Sequence, residues 1–289
     1  VQFITGQQGN INFAINYPGQ WVETNNPDVF LPCYFFGDNV AGNSDIKNAA
    51  GLVTYKFLDS GIPTSHSNST GAPNPTVLST YEEVGALYGV AFSRQAQKIF
   101  TSAVMRRHTA FGPLGSGGIY MVDPYAPGSP TVQFLDLDAI GIPTRGSGSY
   151  PANPGNNTSP VSSVIGTNAE RNLNLTPFDP STDLAAGDQV GKVSIGDIDI
   201  SDDGRFLYVV NLYDRRLYEI DLGDPLNPTT PTIADVRSWA IPDPGIGDPQ
   251  AGEHRPWGLK FYRGKLFVGL VLSGQDINGE VVSDITANG

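Results

Sequence analysis

The stretch Gly196-Asp197-Ile198-Asp199-Ile200-Ser201-Asp202-Asp203-Gly204-Arg205-Phe206-Leu207-Tyr208-Val209-Val210-Asn211 decides the fold. Ile198 and Ile200 alternate with Asp197 and Asp199, the two-residue period of a strand with one buried and one polar face. Asp203-Gly204 comes next, a pair that tolerates positive φ and so favours the tight primed turn of a hairpin. Phe206 to Val210 is then almost wholly apolar, as a strand covered on both faces requires. A third strand is expected at Arg216 to Asp221, with Leu217, Tyr218 and Ile220 apolar. After the proline-rich loop from Asp224 to Pro231, a fourth fits Val236 to Ile241.

The same four-strand order recurs. Upstream, Tyr88–Ser93, Lys98–Val104, Gly118–Asp123 and Val132–Leu137 match the four strands in turn. Downstream, Trp257–Phe261 and Lys265–Val271 repeat the first pair, with Arg263-Gly264 as the turn. Radially repeated four-stranded antiparallel sheets are the signature of a β-propeller, in which each sheet hides its two apolar faces between neighbours. A sandwich is the alternative, but it does not predict this repeated order. The expected fold is therefore all-β, a β-propeller with blade-like units at 88–137, 196–241 and 257–289. Residues 1–80 form an irregular part contributing strands, with candidates at Asn10–Asn16 and Gly51–Leu58. Residues 140–193, rich in Gly, Ser, Pro and Asn, are expected to be a long surface excursion, and Ser60–Pro75 has a similar composition. Gly289 falls where the third strand of the last unit would begin, so the ring is expected to be incomplete within this chain.

Composition agrees with this class. The 289 residues carry 29 Asp and Glu against 17 Lys and Arg, a net charge of −12, with only 16% of residues charged. The 34 Gly and 23 Pro are far too many for a coiled coil or helical bundle, and 39% hydrophobic residues are too many for a disordered chain. An acidic surface repels phosphate, so nucleic acid is excluded as a partner. No apolar run approaches the ~18 residues that span a bilayer, so no membrane span is expected. One cysteine, Cys33, excludes a disulfide within the chain and a Cys-based zinc site. Val1 to Thr5 reads as strand rather than leader, which fits either a removed leader or a cytosolic protein.

Few constellations suggest chemistry. Asp197, Asp199, Asp202 and Asp203 superficially suit calcium, the one cofactor with any case here. However, no acidic residue closes the cage, and alternate strand residues with a hairpin tip are the plainer reading. Arg106-Arg107-His108 precedes a Gly-rich loop, and its guanidinium forks suit a carboxylate or phosphate. The plainer reading pairs these cations with the chain's own surplus carboxylates, such as Asp197 or Asp214. Gly112 to Gly118 lacks the lysine and the following helix of a phosphate loop. A metal-dependent lactonase-type propeller would hold its ion with a Glu, an Asp and an Asn, roles open to Glu253, Asp214 and Asn211. His254 precedes an inner strand and could face a central channel, whereas His66 lies in a polar loop. The aromatic residues Tyr208, Tyr213, Tyr218, Trp239, Trp257, Phe261, Tyr262 and Phe267 are expected mostly to wedge between sheets.

Four segments, Leu31–Asp38, Ala103–Tyr120, Ile195–Tyr218 and Arg255–Tyr262, together resemble a propeller-like region near the amino end of very large secreted bacterial surface proteins. Those proteins also carry immunoglobulin-like domains related to the B repeats of serine-aspartate-repeat adhesins. The resemblance implies an extracellular or cell-surface location and a longer polypeptide whose other domains are its partners, and it brings no catalytic residues. The expected function is thus a non-enzymatic structural or adhesive module with a protein or glycan ligand and no obligatory cofactor. A lactonase-type hydrolase and a glycan-binding propeller are the alternatives, and self-association into a homo-oligomer stays open. Binding residues expected on this reading are Arg106, Arg107, His108, Asn211, Asp214 and His254.

Overall fold

A computed structural model of the chain describes residues 26–39, 44–58, 75–126, 128, 131–146, 164–176, 179–181, 183, 186, 189–242 and 254–272. The candidate strand at Asn10–Asn16, the start at Val1–Thr5, His66 and Glu253 lie outside these residues. Two compact units divide the chain, one of residues 1–29 and 55–74 and one of residues 30–54 and 75–289. In the smaller, Lys56 Nζ pairs with Asp28 at 2.8 Å and the Leu58 amide donates to Asn26 Oδ1 at 2.7 Å.

Strands β1 (Asp28–Pro32), β2 (Ala50–Lys56) and β3 (Thr76–Thr80) form a three-stranded sheet in that order, accompanied by single helical turns α1 (Ser44–Lys47) and α2 (Tyr81–Val84). β4 (Leu87–Ser93), β5 (Lys98–Ala103), β6 (Gly118–Val122) and β7 (Val132–Asp136) form an antiparallel meander, paired in chain order. A second meander consists of β8 (Ile195–Ile200), β9 (Phe206–Asn211), β10 (Arg216–Asp221) and, after the small hairpin β11 (Gly223–Asp224) and β12 (Asn227–Pro228), β13 (Val236–Ala240). β14 (His254–Tyr262) and β15 (Lys265–Leu272) make a hairpin whose turn residues, Arg263 and Gly264, have φ of 49° and 70°. Both values lie in the left-handed region that a tight primed turn demands. All described sheets are antiparallel, and the strands read from periodicity within the described residues match those observed to within three residues. No helix among the described residues is long and apolar enough to cross a membrane.

Three strands share one local irregularity. Each pairing between the first and second strand of a sheet slips at a glycine: between Leu87 and Val90 in β4, between Ile195 and Ile198 in β8, and between Pro256 and Leu259 in β14. A glycine at a bulge lets another backbone approach where a side chain would stand. A Cβ on Gly89 would lie 2.8 Å from the Ile198 amide nitrogen, and one on Gly196 would lie 2.9 Å from the Trp257 carbonyl oxygen. The first strands of the three sheets therefore lie side by side, β4 against β8 and β8 against β14.

A second device locks β8 to β14. The Leu259 amide donates to Asp197 Oδ2 at 3.0 Å and the Phe261 amide to Asp199 Oδ2 at 2.6 Å, while Lys260 Nζ sits 2.7 Å from the same Asp199 oxygen. Two carboxylates, two residues apart, meet two amides of equal spacing, so the strand period itself sets the register. These oxygens are thus engaged by protein, as is Asp203, which accepts from Ser201 Oγ and the Arg205 amide.

Apolar faces stack in series. One face of the first meander, with Ile99, Tyr120 and Val122, covers Leu52 and Leu78 of the three-stranded sheet. Its other face, with Ala91, Phe100, Ile119 and Phe134, packs on Ile198, Leu207, Val209, Tyr218 and Ile220 of the second meander. The far face of that meander, with Val210 and Leu217, packs on Trp257, Leu259, Leu266 and Val268 of the hairpin. Both meanders are therefore covered on both faces, which a two-layer sandwich does not provide. Aromatic residues fill part of these seams, as with Tyr208 stacked on Phe261 at 5.4 Å. Trp239, Tyr262 and Phe267 are instead exposed.

The segment 140–193 is not a surface excursion in its described part. Ile165, Ala186 and Val193 join Ala103, Met105 and Phe111 in one buried cluster, and Leu173 joins Ile46, Tyr81 and Ala110 in another. Asn168 mimics a strand neighbour, accepting from the Phe111 amide at 2.8 Å and donating to the Phe111 carbonyl at 2.8 Å. Its Gly- and Ser-rich composition concealed these few anchoring side chains. If the bulge glycines set the spacing of the sheets, Gly89→Ala and Gly196→Ala will each destabilise by about 1–3 kcal/mol through overpacking. Gly258→Ala, which meets nothing within 4 Å, will be close to neutral. Urea denaturation of the three variants measures the difference.

Candidate functional site

Meander topology gathers the candidate residues at one end of the larger unit. The first residue of the first strand of each sheet faces the last of the second: Leu87 opposite Ala103, Ile195 opposite Asn211, His254 opposite Leu272. The β5–β6 loop, the β9–β10 turn and the long crossover into β8 therefore share this end. Bonds from the Ser194 amide to the Thr144 carbonyl and from the Leu212 amide to the Ser194 carbonyl tie it together.

Arg106, Arg107 and His108 stand on one turn just beyond β5. The Thr109 hydroxyl donates to the Arg106 carbonyl at 3.0 Å, and Arg171 Nη2 donates to the same carbonyl at 3.2 Å. The Gly37 amide donates to the His108 carbonyl at 2.9 Å. These bonds hold His108 at a φ of 69°, a left-handed conformation that costs a non-glycine residue about 1–2 kcal/mol. The Arg106 guanidinium lies 3.8 Å over the ring of Tyr34, whose hydroxyl donates to the Leu87 carbonyl. Burial pushes the Tyr34 phenol up, and Arg106 opposes the shift. The His108 ring meets Phe36 edge-on at 5.3 Å, and its Nδ1 is buried without a hydrogen-bond partner.

Beneath this turn is a fully buried ion pair. Arg171 donates through Nε at 3.0 Å and Nη2 at 2.6 Å to Asp183 Oδ2, and both side chains are wholly out of solvent. Arg171 also lies 5.2 Å over the Phe111 ring.

The remaining candidates play other parts. Asn211 is fully buried; its Nδ2 donates to the Pro143 carbonyl at 2.9 Å and its Oδ1 accepts from the Tyr213 amide at 2.9 Å. Asp214 accepts from the Tyr218 hydroxyl and, at 3.0 Å, from the Arg216 amide; burial pushes its carboxyl above the usual range. His254 opens β14 opposite Leu272. Of the residues considered for a lactonase-type set, Asn211 thus bridges the Pro143 carbonyl and the Tyr213 amide, Asp214 holds Tyr218 and Arg216, and Glu253 lies outside the described residues. Among the described residues no group of three His, Cys, Asp or Glu side chains converges as a metal site.

Pairing of Arg106 and Arg107 with Asp197 or Asp214 does not occur, because those carboxylates serve β14 and Tyr218. Tyr34, Phe36 and Arg171 complete the neighbourhood and were not foreseen. The run Tyr34-Phe35-Phe36 directly after a strand was the available signal.

Fold and site together define an all-β protein of serially packed antiparallel sheets with an arginine–histidine turn at one end. No protein-family profile matches the chain. It is similar to colossin D of Dictyostelium discoideum, 27% identical over 203 residues, which cover 70% of this chain and 18% of that protein. It is also similar to colossin A of the same organism, 23% identical over 252 residues, covering 87% of this chain and 2% of that protein. The chain thus spans less than a fifth of the curated relatives it matches. These relatives overturn the resemblance to bacterial proteins with serine-aspartate-repeat B-like domains. The segments that suggested it are largely strands, bulges and tight turns, which recur wherever such sheets are built.

Removing Asp183 strands a buried guanidinium, so Asp183→Ala will lose about 3–5 kcal/mol of stability. The double variant Arg171→Met/Asp183→Leu will recover most of it, as thermal denaturation of both will register.

Proposed function

We propose that this chain is a non-enzymatic β-propeller module of a longer extracellular polypeptide, with a structural or adhesive role. The observation that carries the reading is the threefold recurrence of a glycine-bulged first strand, β4, β8 and β14, lying side by side with successive sheet faces covered in series. Radial packing about a common axis produces this arrangement. Matches confined to a small share of much longer proteins support a module within a larger chain. Candidate polar side chains engaged in bracing the backbone, as Asn211 is, support a role other than catalysis. An acidic, turn-rich chain with a single cysteine suits an extracellular setting.

Two measurements test this. Cryo-electron microscopy of the longer polypeptide will reveal a ring with β4, β8 and β14 innermost; an open multilayer stack would remove the propeller. The purified chain will hydrolyse no member of a lactone and ester panel. Hydrolysis that is abolished by chelation and by Asn211→Ala would replace the module reading with the enzyme one.

A further inference from the structure

We infer that the Arg106–His108 turn is a binding site for a carboxylate on an acidic peptide that carries an apolar residue beside it. This deepens the module reading by naming what the adhesive end recognises, and it does not depend on ring closure.

The chain carries 29 acidic residues against 17 Lys and Arg, so a carboxylate is the commonest partner open to an arginine. Arg145, Arg171, Arg205 and Arg237 each take such a partner, whereas Arg216 bonds Ser238 and Arg263 stacks on Tyr262. Arg106 and Arg107 are exposed and have no acidic partner among the described residues. Arg106 is nevertheless oriented: Tyr34 supports its plane at 3.8 Å, and its backbone carbonyl is held by Thr109 and by Arg171. A guanidinium fixed in this way loses less freedom when its fork meets a carboxylate.

His108 supplies an independent observation. It is held in a left-handed conformation, and its Nδ1 is buried with no partner. Backbone strain and an unmet polar atom in one residue, beside two guanidinium groups that meet no carboxylate among the described residues, are the marks of a site prepared for a ligand rather than of a solvated turn. Arg171 Nη1, the outer nitrogen of a guanidinium whose Nη2 already reaches this turn, is also buried and unmet.

Electrostatics select the kind of anion. The net charge of −12 opposes a nucleic acid or an anionic bilayer, which would present many charges to the whole surface. A single carboxylate feels mainly charges within about 10 Å, the screening length near 0.1 M salt, and Arg106 and Arg107 stand next to each other on this turn. Phe36, 43% exposed and in edge contact with His108, offers an apolar shelf beside them. An acidic residue next to an apolar one satisfies both.

The test uses the full chain and a short fluorescein-labelled peptide of repeated Glu-Leu-Pro, read by fluorescence anisotropy. Saturable binding is expected, weakened at least about tenfold by Arg107→Gln, the equivalent of one lost charge-assisted hydrogen bond. Arg107 is exposed and supports no other group, so this variant keeps its fold; Arg106→Gln is expected to behave alike. Arg263→Gln, which alters an exposed arginine stacked on Tyr262 at the far end of the β14–β15 hairpin, will leave binding unchanged. The imidazole resonances of His108 will shift on titration with the peptide. The inference fails if binding is absent, if the Gln-Leu-Pro peptide binds as well, or if Arg263→Gln weakens binding equally. It also fails if an oligogalacturonate binds where the peptide does not. None of these failures touches the ring or hydrolysis experiments, so the module reading is judged separately.

Discussion

The sheets of this protein rest on backbone meeting backbone where side chains are missing. At Gly89 and Gly196 the first strand of one sheet comes so near the next that a single methyl group would collide with it. Elsewhere in a β-protein the side-chain layer keeps sheets about 10 Å apart. Here the approach at one end of β4 and of β8 draws the sheets together along those strands, and their apolar faces cover one another. The buried seams, Phe100 and Phe134 against Leu207 and Val209 for instance, then follow from ordinary hydrophobic packing. Asp197 and Asp199 complement the glycines, because two carboxylates at strand spacing accept two amides at strand spacing and exclude a one-residue slip.

Much of this was legible in the residues. Ile198 and Ile200 alternating with aspartates, and the Asp203-Gly204 turn, state locally what the strands do, because the strand period and turn chemistry are short-range properties. The recurrence of that pattern gave both meanders in their observed strand order. The purpose of the aspartates was not legible, since their partners lie 62 residues away and a polar strand face looks the same whether it meets water or another strand. The segment after Ile140 misled for a related reason. Composition averages over many residues, and one buried pair, Arg171 with Asp183, outweighs a dozen serines and glycines in deciding where a segment sits. Arg106 was expected to find an acid and found Tyr34 instead, a contact between loops whose meeting only the folded topology specifies.

The arginine–histidine turn is where strained backbone and incompletely matched polar groups coincide. The surrounding structure is heavily bonded: Asn39 donates to the Tyr81 and Phe111 carbonyls, and the Tyr81 hydroxyl receives the Ala110 amide. Such bracing can sustain His108 in an unfavourable conformation, as rigid scaffolds do for the loops that carry function. The buried ion pair below contributes position more than stability, because desolvation offsets most of its attraction. Its Arg171 is nonetheless bonded to the turn it supports, which links the packed crossover segment directly to the exposed cations.

The aspartate pair on β8 has one more consequence. Leu259 and Phe261 point their amides away from β15, along the side of β14 left open by the hairpin. A bare row of donors of this kind invites any passing extended chain to add itself as another strand. By occupying those donors with carboxylates from within, the protein withholds them from any strand that could be stitched on from outside.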